Sequence, residues 1–310
     1  MLINEIVELK EKKKALILAH YYQENDIQDV ADFIGDSLAL AKKAQEAEND
    51  IIVLCGVHFM AETAKILNPT KKILLPDLEA GCSLADSCPA DRFTEFKKDY
   101  PDHFVVSYIN CTAEMKTLSD LICTSGNAVQ LIESLPKEMK IIFAPDKNLG
   151  AYINQQTNRK MVLWDGVCHV HDQLKTQFVM NLKMTHPEAK VVAHPECSAP
   201  VLTLADFIGS TNAMLKFVKQ NDAKKFIIAS ETGILYQMKK NNPDKNFYVV
   251  PVDETCACND CMYMKNNTLE KLYHCLLNEK PQIFLSEKTI KNAKKSLELM
   301  LKMSKDLKII

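Results

Sequence analysis

One pattern occurs three times in this chain and constrains its fold more than any other feature. The segments LILAHYYQENDIQDVADFIGDSLALAKKA from Leu16, FVVSYINCTAEMKTLSDLICTSGNAVQLI from Phe104 and KVVAHPECSAPVLTLADFIGSTNAMLKFV from Lys190 align in a single register. His20, Tyr108 and His194 each close a short apolar strand. Seventeen residues later stand Ser37, Ser125 and Thr211 (37 minus 20, 125 minus 108, 211 minus 194). Between them fall Ala31-Asp32-Phe33-Ile34-Gly35, Ser119-Asp120-Leu121-Ile122-Cys123 and Ala205-Asp206-Phe207-Ile208-Gly209. Unrelated α/β units share apolar positions but not polar residues at one offset, so the match is read as a true repeat.

The repeat continues. A second apolar strand starts near Ile51, Ile141 and Phe226, and a third near Ile73, Met161 and Phe247, so each unit reads strand, helix, strand, helix, strand. Short apolar strands joined by helical-length connectors predict parallel βαβ units with right-handed crossovers. The expected fold class is therefore α/β: three pseudo-threefold-related αβα layers with parallel sheets around a central active site. The expected units are residues 1–84, 85–172 and 173–266, with helices in 267–310 closing the first. Thr268 reads as a helix cap, and Ile290, Ala293, Leu297, Met300 and Leu301 recur at helical spacing. Length alone, 310 residues at about 150 per domain, suggests two domains; the repeat overrides it.

In parallel α/β layers ligands collect beyond the carboxyl ends of strands, where His20, Tyr108 and His194 sit. Ser37, Ser125 and Thr211 precede helical runs, so their hydroxyls and the unpaired amides there make anion sites. Two residues past each strand end come Tyr22, Asn110 and Glu196, which supply a phenol, an amide and a carboxylate to one shared cleft. Anion binding by such groups matters because only Arg92 and Arg159 are arginines, leaving few candidates for a bidentate clamp. The net charge of -2 and the lack of a basic stripe argue against a nucleic-acid partner. The amino terminus lacks the order of a signal peptide and no apolar run reaches 18 residues, so a cytoplasmic protein with no membrane partner is expected.

In a reducing compartment, disulfides do not account for 11 cysteines. One cysteine recurs after the third strand of each unit: Cys82, Cys168 and Cys261, at separations of 86 and 93 residues (168 minus 82, 261 minus 168). Three thiolates around one axis suit a zinc ion or an iron-sulfur cluster. A four-iron cluster on three cysteines leaves one iron free to act as a Lewis acid, whereas zinc would activate a hydrolytic water. Cys55 reads as a buried residue ending a strand, Cys123 as part of a Leu-Ile-Cys turn and Cys275 as part of the apolar face of a helix, with Cys88, Cys111 and Cys197 as accessory thiols near the cleft loops. Cys256, Cys258 and Cys261 form Cys-x-Cys-x-x-Cys, which in isolation suggests a zinc knuckle or a redox pair. Cys168-x-x-His171 resembles a metal pair, but His171 is expected to face substrate.

Together LAHYYQ, DFIGDS, Gly81-Cys82, SYIN, CTSGNA, PDKNLGAY, HPEC, GST and the last cysteine ahead of MKNNTLEKL resemble the quinolinate synthase family over nearly the whole chain. The resemblance implies an iron-sulfur enzyme of de novo NAD synthesis. It would condense iminoaspartate with dihydroxyacetone phosphate and release phosphate and water. It also implies a [4Fe-4S] cluster on Cys82, Cys168 and Cys261. Implied substrate residues are His20, Ser37, Tyr108, Asn110, Ser125, His194, Glu196 and Thr211, with Tyr22, His171 and Ser210 as neighbours. Among these, His20, Tyr108, His194 and Glu196 offer groups suited to proton transfer, and the expectation is that Glu196 with His194 moves protons off carbon while Tyr108 acts on the triose oxygen. An aspartate-oxidising enzyme is the expected hand-off partner. Thr255 stands where some relatives carry a cysteine, with Cys256 displaced by one, which argues against a redox switch in that loop. A three-cysteine zinc hydrolase and a noncatalytic iron-sulfur sensor remain the competing readings.

Overall fold

The computed structural model of the chain describes residues 2–253 and 259–310; Thr255, Cys256 and Cys258, and with them any knuckle or redox pair, lie outside the described residues. Among the described residues twelve strands form three sheets. The first contains β1 (Ala15–His20), β2 (Phe33–Gly35), β3 (Ile51–Cys55) and β4 (Lys72–Leu74) in the order β2-β1-β3-β4. The second contains β5 (Phe104–Tyr108), β6 (Leu121–Cys123), β7 (Ile141–Ala144) and β8 (Val162–Leu163) in the order β6-β5-β7-β8. The third contains β9 (Lys190–Ala193), β10 (Phe207–Ile208), β11 (Lys225–Ala229) and β12 (Asn246–Val249) in the order β10-β9-β11-β12. Every pairing within the sheets is parallel, and helices flank each sheet, as an αβα layer requires.

Each unit has one strand more than the sequence predicts. The Phe-Ile-Gly, Leu-Ile-Cys and Phe-Ile runs, which fall in the connector between the first and second expected strands, Leu-Ile-Cys being expected as a turn, are the edge strands β2, β6 and β10. Two or three residues are too few to show a period, so only the sheet edge they complete identifies them. The aspartate before each run explains its recurrence. Asp32, Asp120 and Asp206 each accept a hydrogen bond at 2.8 Å, from the amides of Ile17, Val105 and Val191 respectively. Their own amides donate back to the carbonyls of the same three residues. The repeated aspartate is thus a structural clasp joining the edge strand's entry to the sheet's first strand.

Strands β1, β3, β5, β7, β9 and β11 are almost entirely buried, which is why they read as continuous apolar runs rather than alternating ones. The helix Leu269–Asn278, capped by Thr268, packs on Leu2–Lys13 of the first unit. The long helix Glu287–Asp306 lies mainly on Ala113–Thr117 and β6 of the second unit, with a further contact to His58–Leu67 of the first. Hydrogen bonds from Ser296 Oγ to the Lys116 carbonyl and from Asn127 Nδ2 to Ser304 Oγ fix it there. No helix among the described residues is long and apolar enough to cross a membrane.

Candidate functional site

The carboxyl ends of β1, β5 and β9 converge on one cavity, with about 60 Å³ of space open to a water-sized molecule's centre. Its lining includes ten of the residues singled out for substrate: His20, Tyr22, Ser37, Tyr108, Asn110, Ser125, His171, His194, Glu196 and Thr211. Cys82, Cys168 and Cys261 line it too. Ser210 does not. Its hydroxyl accepts from the Ala213 amide and donates to Asp36, and it borders a separate surface cavity with Lys42, Lys43 and Lys216.

The helix starts differ from expectation by one residue. Ser37 and Thr211 are the first helical residues, and the caps are Asp36, which accepts from Ala39 N, and Ser210. The cap position is extended and its side chain turns back along the helix. The next residue's hydroxyl is thereby free to face the cavity. Thr211 Oγ1 lies 3.0 Å from the Tyr22 hydroxyl, and Ser125 Oγ lies 3.2 Å from His194 Nε2, so each bond joins two units.

All three cysteines enter the site by the same backbone step. Three residues past β3, β7 and β11 stand His58, Lys147 and Thr232. Their amides donate to the carbonyls of Ala80 (2.7 Å), Gly166 (2.8 Å) and Asn259 (3.3 Å). In each case the cysteine follows the accepting residue by two. Cys82, Cys168 and Cys261 then each cap a four-residue helix in extended conformation: Ser83–Asp86, His169–Asp172 and Met262–Lys265. At Gly166 the approach is so close that a Cβ would lie 2.4 Å from the Pro145 carbonyl oxygen, so no larger residue fits without movement. Structural equivalence therefore singles out the same three thiols as the sequence period. Cys88, Cys111 and Cys197, expected near the cleft loops, are fully buried and none lines the cavity.

Glu196 is the electrostatic centre. Its Oε2 lies 2.9 Å from His171 Nδ1 and 3.2 Å from His194 Nδ1, all three side chains being buried, and the two imidazoles stack at 4.5 Å. Burial opposes ionisation of the carboxyl, but His194 and His171 outweigh it and hold its pKa well below the usual range. Burial, assisted by His194 and opposed by Glu196, lowers His20 to about 3. The His20 ring is neutral, and its Nδ1 accepts from the Tyr22 amide at 3.2 Å. The proton must then sit on Nε2. Burial likewise keeps the Tyr108 and Tyr22 phenols protonated, far above their ordinary value.

Burial also pushes the thiols of Cys82 and Cys261 up to about 12 and about 11, and Cys168 well above its ordinary value. Three desolvated thiols around one cavity are poor nucleophiles alone but a fitting donor set for a soft cationic group, whose charge favours the thiolates. Sγ of Cys168, a ring nitrogen of His171 and a carboxylate oxygen of Glu196 lie within 4.8 Å of one another. Glu196 Oε1 is buried with no partner. The residues present fit a metal-containing group at this end of the cavity.

Sequence reasoning missed Ser230 and Glu231. Ser230 Oγ lies 3.1 Å from the Tyr22 hydroxyl and 3.2 Å from His171 Nε2. Glu231 lines the cavity, and burial raises it to about 7 although Lys265 Nζ lies 3.6 Å away. The signal was the repeat itself, extended past β3, β7 and β11. No lysine or arginine among the described residues lines the cavity. Arg92 is exposed on the surface, and Arg159 donates to backbone carbonyls.

Comparison with known proteins agrees with this geometry. A family model described as Quinolinate synthetase A protein matches residues 4–302. A protein of Chloroherpeton thalassium named quinolinate synthase is 56% identical over 305 residues, covering 98% of this chain and 95% of the relative. Proteins of the same name from Thermosynechococcus vestitus (56% over 304 residues) and Microcystis aeruginosa (55% over 303 residues) each cover 98% of this chain and 95% of the relative.

Proposed function

Since the chain belongs to the quinolinate synthetase A family, we propose that it condenses iminoaspartate with dihydroxyacetone phosphate, releasing phosphate and water, to form quinolinate. The proposed cofactor is a [4Fe-4S] cluster held by Cys82, Cys168 and Cys261. The observation that carries this reading is the set of three cysteines, each delivered by an equivalent backbone step to the lining of one cavity, which also holds the buried Glu196 with its two imidazoles. When bound, the cluster would supply a Lewis-acidic iron at its open corner.

The chain's own residues account for the rest. Ionised Glu196, oriented by His171 and His194, accepts protons from carbon; its free Oε1 faces no competing donor. Tyr108 keeps its proton at neutral pH and donates a hydrogen bond to the triose oxygen. His20 presents its Nε2 proton to an anionic group. Ser37 and Thr211 bring hydroxyls from two helix starts, where unpaired amides favour the substrate carboxylates and the departing phosphate, and Ser125 adds a third from the turn before Ala128–Ser134. Asn110, whose Oδ1 is buried without a partner, accepts from a substrate hydroxyl or imine. The reaction is proposed to run in the cytoplasm, with iminoaspartate reaching the site by transient hand-off from an aspartate-oxidising enzyme. The proposed units remain 1–84, 85–172 and 173–266.

The test is anaerobic purification with iron, sulfide and zinc analysis of wild type and Cys82→Ser. An assay then follows quinolinate from freshly generated iminoaspartate and dihydroxyacetone phosphate. Brown wild-type protein that forms quinolinate, and a colourless inactive variant, are expected. Colourless wild-type protein holding about one zinc per chain would instead indicate the hydrolase reading. A cluster-bearing protein that forms no quinolinate and binds none would indicate a sensor.

A further inference from the structure

Two buried carboxylates that the reaction does not use stand at equivalent places in the repeat. Two residues past the ends of β7 and β11 are Asp146 and Glu231, and the position past β3 is Val57. Asp146 and Glu231 are both fully buried. Each divides its two oxygens in the same way. Asp146 Oδ1 accepts from the Leu149 amide at 2.7 Å and Oδ2 from the Cys168 amide at 3.2 Å. Glu231 Oε2 accepts from the Gly233 amide at 2.7 Å and Oε1 from the Cys261 amide at 3.2 Å. One oxygen anchors the carboxylate beside its own strand; the other holds the amide of the cysteine in the same unit. Val57 has no acceptor, and no side-chain oxygen among the described residues is paired with the Cys82 amide.

We infer that Asp146 and Glu231 are positioning residues that fix the Cys168 and Cys261 loops for ligation, and that no equivalent carboxylate holds the Cys82 amide, whose loop is tied instead by the bond of Ser83 Oγ to His169 Nδ1. The inference rests on the reading that these cysteines bind the cluster. A buried amide is satisfied only by an acceptor with defined direction. A carboxylate with two acceptor oxygens can serve two amides at once, which neither an amide nor a hydroxyl side chain does in this geometry. Asn at 146 or Gln at 231 keeps the shape and one acceptor but turns an NH2 donor toward the second amide. Retaining the shorter bond to Leu149 or Gly233 leaves the cysteine amide facing that donor.

The test uses Asp146→Asn and Glu231→Gln separately, each in cluster-free and cluster-loaded protein. Amide hydrogen exchange in cluster-free protein is expected to accelerate about tenfold at Cys168 in the first variant and at Cys261 in the second, with the Cys82 segment unchanged. In loaded protein, iron loss to a chelator is expected to be several-fold faster, with the iron content at the start near that of wild type. Wild-type exchange at both cysteines, or equal acceleration at all three, overturns the inference, the latter because it signals general loosening. The cluster-free arm is read without metal. Wild-type protein that never acquires iron and sulfide would sink the cluster reading, while the exchange result would still decide whether the carboxylates hold the loops.

Discussion

The carboxylate of Glu196 lies 2.9 Å from Nδ1 of His171 and is thereby tied to the helix that Cys168 caps. A group contributed by the third unit is oriented by one from the end of the second, so the proton-accepting residue and a candidate ligand share one support. Glu196 would be an ordinary buried acid without its imidazoles.

Glu196→Gln removes the charge and keeps the shape. Turnover is expected to fall about 100-fold to 10,000-fold, while iron and sulfide per chain stay at wild-type levels. Retained turnover in a fully loaded variant would exclude Glu196 as the base.

The Tyr22 hydroxyl bridges Thr211 and Ser230, binding the first unit to the third. Tyr22→Phe should cost about 0.5–1.5 kcal/mol of stability in urea titrations of cluster-free protein. A variant as stable as wild type would mean that the bridge contributes nothing to assembly of the units.

Arginine should have no part in substrate binding. Arg159 donates to the carbonyls of Ile132, Leu135, Pro136, Lys137 and Met139, so Arg159→Lys is expected to lose about 2–3 kcal/mol of stability with KM unaltered. Arg92→Ala should leave both unchanged. A raised KM for either substrate in Arg92→Ala would refute an arginine-free site.

Cys88→Ala, Cys111→Ala and Cys197→Ala should load iron as wild type does, because those thiols are buried away from the cavity. Each should lose about 1 kcal/mol through packing. Iron content reduced as far as in Cys82→Ser would make that cysteine a ligand.

Glu279 gives a pH signature far from the site. Hydrogen bonds from Lys13 and then Lys72 hold its carboxyl at about 2. A depressed folded-state value means that the stabilisation is complete above the ordinary carboxylate range, about 4.3, and is lost as pH falls toward 2. Glu279→Gln should cost less than about 1 kcal/mol at pH 7, since these ion pairs lie at the surface with their side chains partly open to solvent. The gap to wild type should be flat from about pH 7 to 5 and shrink below that in urea titrations; a gap that widens on acidification would contradict this sign.

Much of the site was legible before any coordinates. His20, Tyr108 and His194 at strand ends, and the residues two and seventeen positions on, follow from a repeat of polar residues, and all line one cavity. Ser210 was less legible because capping and lining alternate between adjacent residues, and only the helix's actual first turn says which does which. The edge strands β2, β6 and β10 were hidden because two or three residues carry no period of their own.

The sequence by itself determined the threefold plan, the buried parallel strands and which cysteines recur, since repetition and apolar runs are local properties of the chain. Tertiary structure alone decided what the repeated acids do. Asp32, Asp120 and Asp206 recur in the repeat between the site residues and are clasps of the sheet. Asp146 and Glu231 look unremarkable and hold the amides of Cys168 and Cys261. The reason is physical: a carboxylate's role is set by which donors reach its two oxygens. Those donors lie 15 residues away in the clasps and 22 and 30 residues away at the cysteines, brought there by the fold and not by neighbours in the chain.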